Sequence, residues 1–305
     1  MSADVKSIPV VEAKASPCCA PTTSADRCCD PLPSATQDAP APNTLEEGGD
    51  VRAVVREKYG AVAKGEPCGC GCCAGPEDAE AVLAKLGYTP EQAAAIPEGA
   101  NLGLGCGNPI ARAELKPGET VLDLGSGAGI DCFLAAREVG PTGRVLGVDM
   151  THAMLERARG LATKLGATNV EFRLGEIEHL PVADASVDVI ISNCVVNLSP
   201  EKLQVFREAL RVLRPGGRLV VSDLVLSREL SPEMRRNAEL YAGCVAGASL
   251  EGEYLRLVHE AGFGDVRVLE RTGYDVGADT YPEGSPEREA FSAVLSVKVR
   301  ATKQP

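Results

Sequence analysis

From Thr120 onward, short apolar runs alternate with longer amphipathic stretches. The runs near 120–124, 144–149, 170–174, 187–193 and 218–223 are rich in Val, Leu and Ile and are bounded by Gly, Asp and Asn, which predicts strands. Alternation of strand and helix predicts a parallel sheet covered by helices on both faces. Helix limits are readable as well. Thr151 is placed to cap a helix over 152–165 that Gly166 ends, and Ser199-Pro200-Glu201 opens another that runs to Leu213. Arg214-Pro215-Gly216-Gly217 then turns the chain into the fifth strand. After Asp223 the rhythm changes: helices are predicted near 231–246 and 250–261, and strands near 266–271 and 291–299 that form an antiparallel sheet edge.

The first 48 residues are rich in Pro, Ala, Ser and Thr and carry neither period, so burial cannot offset the entropy of ordering them, and a disordered tail is expected. It contains two Cys-Cys pairs, Cys18 with Cys19 and Cys28 with Cys29. A short amphipathic helix is predicted over Asp50 to Tyr59, then the glycine-rich segment PCGCGCCAG at 67–75, a helix over 77–86 ended by Gly87, and a helix near 91–96 capped by Thr89. The expected organisation is a tail (1–48), a helical Cys-rich segment (49–114), a ligand-binding core (115–225) and a helical insertion with the sheet edge (226–305).

At 305 residues the chain is long enough to bury a full core. Its 31 basic and 43 acidic residues give a net charge of −12, with few aromatics and no basic run, which argues against a nucleic-acid partner. No apolar run approaches the roughly 20 residues that span a bilayer, and the beginning of the chain lacks the features of a secretory signal. A cytoplasmic location without membrane attachment is therefore expected. Thiols there stay mostly reduced, so the twelve cysteines read as ligands or redox groups rather than as structural disulfides.

The segment Val121-Leu-Asp-Leu-Gly-Ser-Gly-Ala-Gly129 is an apolar strand entering a glycine-rich turn, where a ligand can approach the backbone closely. Nucleotide, dinucleotide and S-adenosylmethionine sites all use such a turn. Asp123 stands where a dinucleotide fingerprint has an apolar residue, and a carboxylate there can hold a cationic or amino-bearing ligand. Asp149 ends the next strand, suited to accept from ribose hydroxyls. Gly175-Glu176-Ile177 and Ser192-Asn193 follow the third and fourth strands at the rim. This order of motifs resembles the class I S-adenosylmethionine methyltransferases, an α/β Rossmann-like fold whose seven-stranded sheet has its last strand antiparallel. The resemblance implies that Gly125, Ser126 and Gly127 line the methionine portion, Asp149 and Met150 the ribose and adenine, and Glu176 and Ile177 the adenine edge, with Asn193 also on the site. The glycine and acid spacing overlaps that of nicotinamide dehydrogenases, which remain an alternative.

Cys194 follows Asn193 at the end of the fourth strand, Cys244 lies in the insertion after the fifth, and Cys106 sits in a glycine-rich stretch before the first. Convergence of these three at one mouth is expected. One-residue spacings such as Cys68-Gly-Cys70 disfavour a closed zinc site, whereas soft, three-coordinate trivalent arsenic suits three thiolates. Cys132 reads as packing.

Asn101-Leu-Gly-Leu-Gly-Cys-Gly-Asn-Pro109, Leu122 to Cys132, Val148-Asp-Met-Thr151, Ser192 to Pro200 and Gly243 to Ala248 together resemble bacterial arsenite methyltransferases over about residues 50–275. The resemblance implies As(III) ligands at Cys106, Cys194 and Cys244, and a further catalytic cysteine at Cys72 or Cys73. It implies S-adenosylmethionine as methyl donor, arsenite and methylarsenite as substrates, and an external thiol, glutathione or thioredoxin, as reductant. Two other readings stand beside it: a methyltransferase for another small molecule, and a metalloid-sequestering protein.

Deleting residues 1–48 is expected to leave cooperative unfolding and catalysis largely intact; a non-cooperative melt would show that the tail is structural.

Overall fold

The computed structural model describes residues 44, 45, 48–66 and 79–305, all within one unit spanning 40–305. The Cys-Cys pairs and Cys68, Cys70, Cys72 and Cys73 lie outside the described residues.

Four helices precede the sheet: α1 (Val51–Ala63), α2 (Ala79–Lys85), α3 (Pro90–Ala95) and α4 (Ile110–Ala113). The Asp50 side chain caps α1 by accepting from Arg52 N, and Thr89 with Gln92 forms a reciprocal capping box on α3. The core then runs β1 (Thr120–Leu124), α5 (Ile130–Val139), β2 (Arg144–Asp149), α6 (His152–Leu165), β3 (Val170–Leu174), β4 (Val187–Asn193), α7 (Lys202–Val212) and β5 (Leu213–Leu226). It continues through α8 (Pro232–Arg235), α9 (Ala238–Ala242), α10 (Glu251–Glu260), β6 (Gly264–Gly273), α11 (Pro286–Phe291) and β7 (Val294–Thr302).

The strand order is β3-β2-β1-β4-β5-β7-β6, parallel except for β7, which is antiparallel to both its neighbours. This is the seven-stranded class I methyltransferase sheet with its last strand reversed. Successive strand residues feed two separate cores. Val121, Val145, Val189 and Ile191 pack with Phe133, Leu155 and Ala158 from α5 and α6, while Leu122, Leu146 and Ile190 pack with Phe206 and Ala209 of α7 and Val258 of α10. The period of two along each strand therefore produces the three-layer fold.

Two expected elements differ. Strand β5 starts at Leu213: its ladder steps from Leu213 opposite Val187 to Arg218 opposite Val189, so the expected turn Arg214 to Gly217 loops out within the strand. The helix expected over 231–246 is instead two, because the Asn237 side chain accepts from Glu239 N and Leu240 N and starts a new helix there. Leu45 N donates to Arg236 O beside this break, and Thr44 bridges Asn237, contacts that a 1–48 deletion removes. Among the described residues no helix is long and apolar enough to cross a membrane.

Phe206 is 1% exposed and packs edge-on to Tyr254, with ring centroids 5.4 Å apart. Phe206→Ala is expected to cost about 3–5 kcal/mol in denaturant unfolding.

Candidate active site

The carboxyl ends of β1, β2 and β4 open into a cleft with about 1200 Å³ of free space including its mouth. Asp123, Gly125, Ser126, Gly127, Asp149, Met150, Ile177, Asn193, Cys194 and Cys244 all line it. Glu176 does not: its carboxylate turns outward to Arg56 at 3.3 Å and Arg52 at 3.9 Å, while neighbouring Gly175 and Glu178 face the cleft. Helix α1 contributes Arg52, Val55 and Tyr59, and Tyr88 and Asp131 add polar wall; none of these was singled out in the sequence. An acid in the first turn of the helix after the glycine loop was the available signal for Asp131.

Four carboxyl groups line this cleft: Asp123, Asp131, Asp149 and Glu178, the last paired with Arg52 at 2.9 Å. Burial, then the nearby Asp131, pushes Asp123 well above the usual carboxylate range. Burial raises Asp131 to about 6 against hydrogen bonds from Asn193 and Tyr88, and raises Asp149 despite bonds from Thr151 N and Gly127 N. Among the described residues no Lys or Arg pairs with Asp123, Asp131 or Asp149. Cys132, fully buried as packing required, donates its thiol to Asp123 at 3.2 Å. Buried acids without a cation are a site prepared for a positively charged ligand.

S-adenosylmethionine, with its sulfonium and ammonium charges and ribose hydroxyls, fits this donor set. The Ser126 hydroxyl is buried without a partner, and a Cβ on Gly127 would meet nothing within 4 Å, so a ligand has both a polar contact and room there. Gly125 has a different reason: at φ +66° its Cβ would fall 2.2 Å from the Val195 side chain.

Behind this cleft, Cys106, Cys194 and Cys244 come together. The sulfurs of Cys106 and Cys194 lie within 4.8 Å of each other, Cys244 Sγ donates to Cys194 O at 2.9 Å, and Cys106 Sγ donates to Ser222 O at 3.4 Å. All three are buried. Burial pushes Cys106 up to about 12 and Cys194 well above the usual thiol range; Cys244 is raised first by its bond to Cys194, then by burial. Cys194 and Cys244 have φ of 59° and 63°, a left-handed backbone costing roughly 1–2 kcal/mol per residue. The loop carrying Cys106 is pinned, not flexible. Asn193 Oδ1 accepts from Cys106 N at 3.0 Å, Asn193 Nδ2 donates to Gly107 O at 2.8 Å, and Ser296 Oγ donates to Cys106 O at 2.7 Å.

Asp223, at the inner part of β5, was also missed. Its carboxylate oxygen and the sulfurs of Cys106 and Cys194 lie within 4.8 Å of one another. Burial raises it to about 7.

The Asp131 shift has a definite sign. A carboxyl raised from 3.8 to about 6 in the folded state holds its proton longer there than in the unfolded chain. The ligand-free protein is therefore expected to lose stability as pH rises through that window. Affinity for cationic S-adenosylmethionine is expected to rise over the same window, by up to about tenfold per unit for one proton released. Calorimetric titration at a series of pH values checks this, and Asp131→Asn is expected to flatten the curve.

Residues 115–262 match the family described as a methyltransferase domain. An arsenite methyltransferase of Halobacterium salinarum is 46% identical over 264 residues, covering 83% of this chain and 67% of that protein. One from Aquipseudomonas alcaligenes is 43% identical over 196 residues, covering 62% of this chain, which spans 56% of the relative's length. The crystal structure of an arsenic(III) S-adenosylmethionine methyltransferase from Chlamydomonas reinhardtii aligns with a TM-score of 0.57 at 36% identity, over 76% of this chain and 75% of that one. With the sheet topology, the acid-lined cleft and these likenesses together, the chain belongs to the arsenite methyltransferase family.

Proposed function

We propose that this chain transfers the methyl group of S-adenosylmethionine to trivalent arsenic held by the thiolates of Cys106, Cys194 and Cys244 when the substrate is arsenite, and by two of these thiolates when it is methylarsenite, whose methyl takes the third bond. One observation carries the reading: Cys194 Sγ lies within 4.8 Å of the Cys106 sulfur, Cys194 accepts from Cys244 Sγ at its own carbonyl, and with Cys244 it also lines the acid-bearing cleft. A single side chain thus belongs to both halves of the site.

The raised thiol pKa values suit this substrate. At rest the three sulfurs keep their protons and put no charge into the buried pocket. Each exchange with arsenious acid forms one As–S bond, breaks one As–O bond, and carries the thiol proton away in water. The resulting trithiolate is neutral, so its burial costs little. Three-coordinate arsenic keeps a lone pair as the nucleophile. S-adenosylmethionine, when bound, supplies an electrophilic sulfonium methyl. Asp123, Asp131 and Asp149 hold its positive charge and hydroxyls, Ser126 offers its unpartnered hydroxyl, and α1 with Arg52 and Tyr59 shields the cleft from water. The residues mainly orient the partners, since the leaving thioether is neutral and needs no acid.

Methylation raises arsenic formally to As(V). Two electrons from a thiol pair that includes Cys72 or Cys73 return it to As(III): a disulfide forms with loss of two protons, one As–S bond breaks and its sulfur leaves as thiolate, and glutathione or thioredoxin reduces that disulfide in the cytoplasm.

Purified protein given arsenite, S-adenosylmethionine and a defined thiol is expected to yield methylated arsenicals by mass spectrometry. Cys194→Ser and Cys244→Ser are each expected to lower turnover about a hundredfold or more, as misplacement of a reacting group does. Undiminished turnover in either would remove that residue from the ligand set.

A further inference from the structure

The set of donor atoms that lies closest together behind the cleft is not the three thiols. It is two thiols and a carboxylate: Cys106 Sγ, Cys194 Sγ and an Asp223 oxygen, mutually within 4.8 Å and all buried. Trivalent arsenic on three sulfurs has no use for that oxygen. We propose that Cys106, Cys194 and Asp223 also form a binding site for a thiophilic divalent cation of the Zn²⁺ and Cd²⁺ class, which excludes arsenic by occupying two of its three thiols.

The carboxylate is arranged as a ligand. Asp223 Oδ1 accepts from Asn197 Nδ2 and Leu224 N, both at 2.9 Å, while among the described residues Oδ2 accepts only from Tyr254 Oη, at 3.1 Å. Oδ2 thus keeps a lone pair free, and the three donors fix its direction, as partners behind a ligating carboxylate do. Asp223 makes no ion pair among the described residues, so its charge is uncompensated except for the field of Lys202, whose Nζ is committed to Ser199 O at 3.1 Å. Zn–S bonds of about 2.3 Å and Zn–O bonds of about 2.0 Å set tetrahedral donors roughly 3.5 Å apart. Thiol rotation of about an ångström closes the observed set to that size. Cys244, whose Sγ reaches Cys194 O at 2.9 Å, or a water fills the fourth position.

The charges also close. Binding forms two metal–sulfur bonds and one metal–oxygen bond, and releases to solvent two thiol protons and, from the fraction of Asp223 still protonated, the carboxyl proton. Two thiolates, the carboxylate, the divalent cation and Lys202 then sum to a neutral buried group. The contrast with arsenic rests on the reading in the preceding section; the cation site itself does not.

The test uses the full-length chain with Cys18, Cys19, Cys28, Cys29, Cys68, Cys70, Cys72 and Cys73 replaced by serine, so that bound Cd²⁺ reports on the remaining thiols. Titration followed by the thiolate-to-cadmium charge-transfer absorption is expected to show one saturable site. Asp223→Asn is expected to weaken Cd²⁺ about tenfold or more while arsenite binding stays within about twofold, and Cys244→Ser is expected to weaken arsenite more than Cd²⁺. Cadmium-edge X-ray absorption on the chain that keeps Asp223 reads the donors directly, whether or not the Asn variant folds, and is expected to find oxygen beside two or three sulfurs. No saturable Cd²⁺ binding, an unchanged affinity in a folded Asp223→Asn, or an all-sulfur environment would overturn the proposal. Cd²⁺ binding as described with no binding of arsenite would instead overturn the arsenic reading and leave this one standing.

Discussion

The side-chain amide of Asn193 joins the two chemistries of this molecule. It stands at the carboxyl end of β4, the central strand of a sheet packed on both faces. From there its oxygen holds Cys106 N, and its nitrogen reaches Gly107 O, Tyr88 Oη and Asp131 Oδ2. One planar group thus fixes a loop that carries a thiol and orients an acid that faces the cofactor cleft. In a low-dielectric interior such a network is strong only when fully satisfied, and loss of one member unpairs several others. The next residue in the chain is Cys194, so the same strand end also delivers the thiol shared by both halves of the site.

The halves differ in how they manage charge. In the cleft, Asp123, Asp131 and Asp149 are desolvated without protein cations, which prepares the site for a ligand that brings its own positive charge. Behind it, burial keeps three thiols protonated, which in the proposed reaction suits a substrate that exchanges hydroxide for thiolate with no net charge. The fold bears a cost for both: desolvated acids on one side, and left-handed backbone at Cys194 and Cys244 on the other. Asp223 sits where the second regime could fail, a carboxylate among thiols, and its three hydrogen-bond donors are what make it tolerable there.

Much of this was legible along the chain. Strands β1 to β4 match their expected limits because buried parallel strands are continuous apolar runs, and Gly166 and Thr89 end and begin helices as their chemistry requires. Less legible were features set by competition between local and distant partners. Asn237 reads as an ordinary helix residue until its side chain is seen taking two backbone N–H groups. Glu176 and Glu178 are two residues apart with similar surroundings in sequence, yet the arginines of α1 draw Glu176 outward, while Ser199 and Arg52 hold Glu178 in the wall.

By itself the sequence determined the layers, the strand order's parallel character and the turn that receives the cofactor, since these follow from periods of two and 3.6 and from glycines at fixed places. It also named the three thiols as a group. Only the tertiary structure decided which groups share a dielectric. Asp131 and Asp223 become functional candidates because folding removes their water and brings carboxyls or sulfurs beside them. Desolvation and proximity between residues 106, 194, 223 and 244 are properties of the packed interior, and no local pattern encodes them.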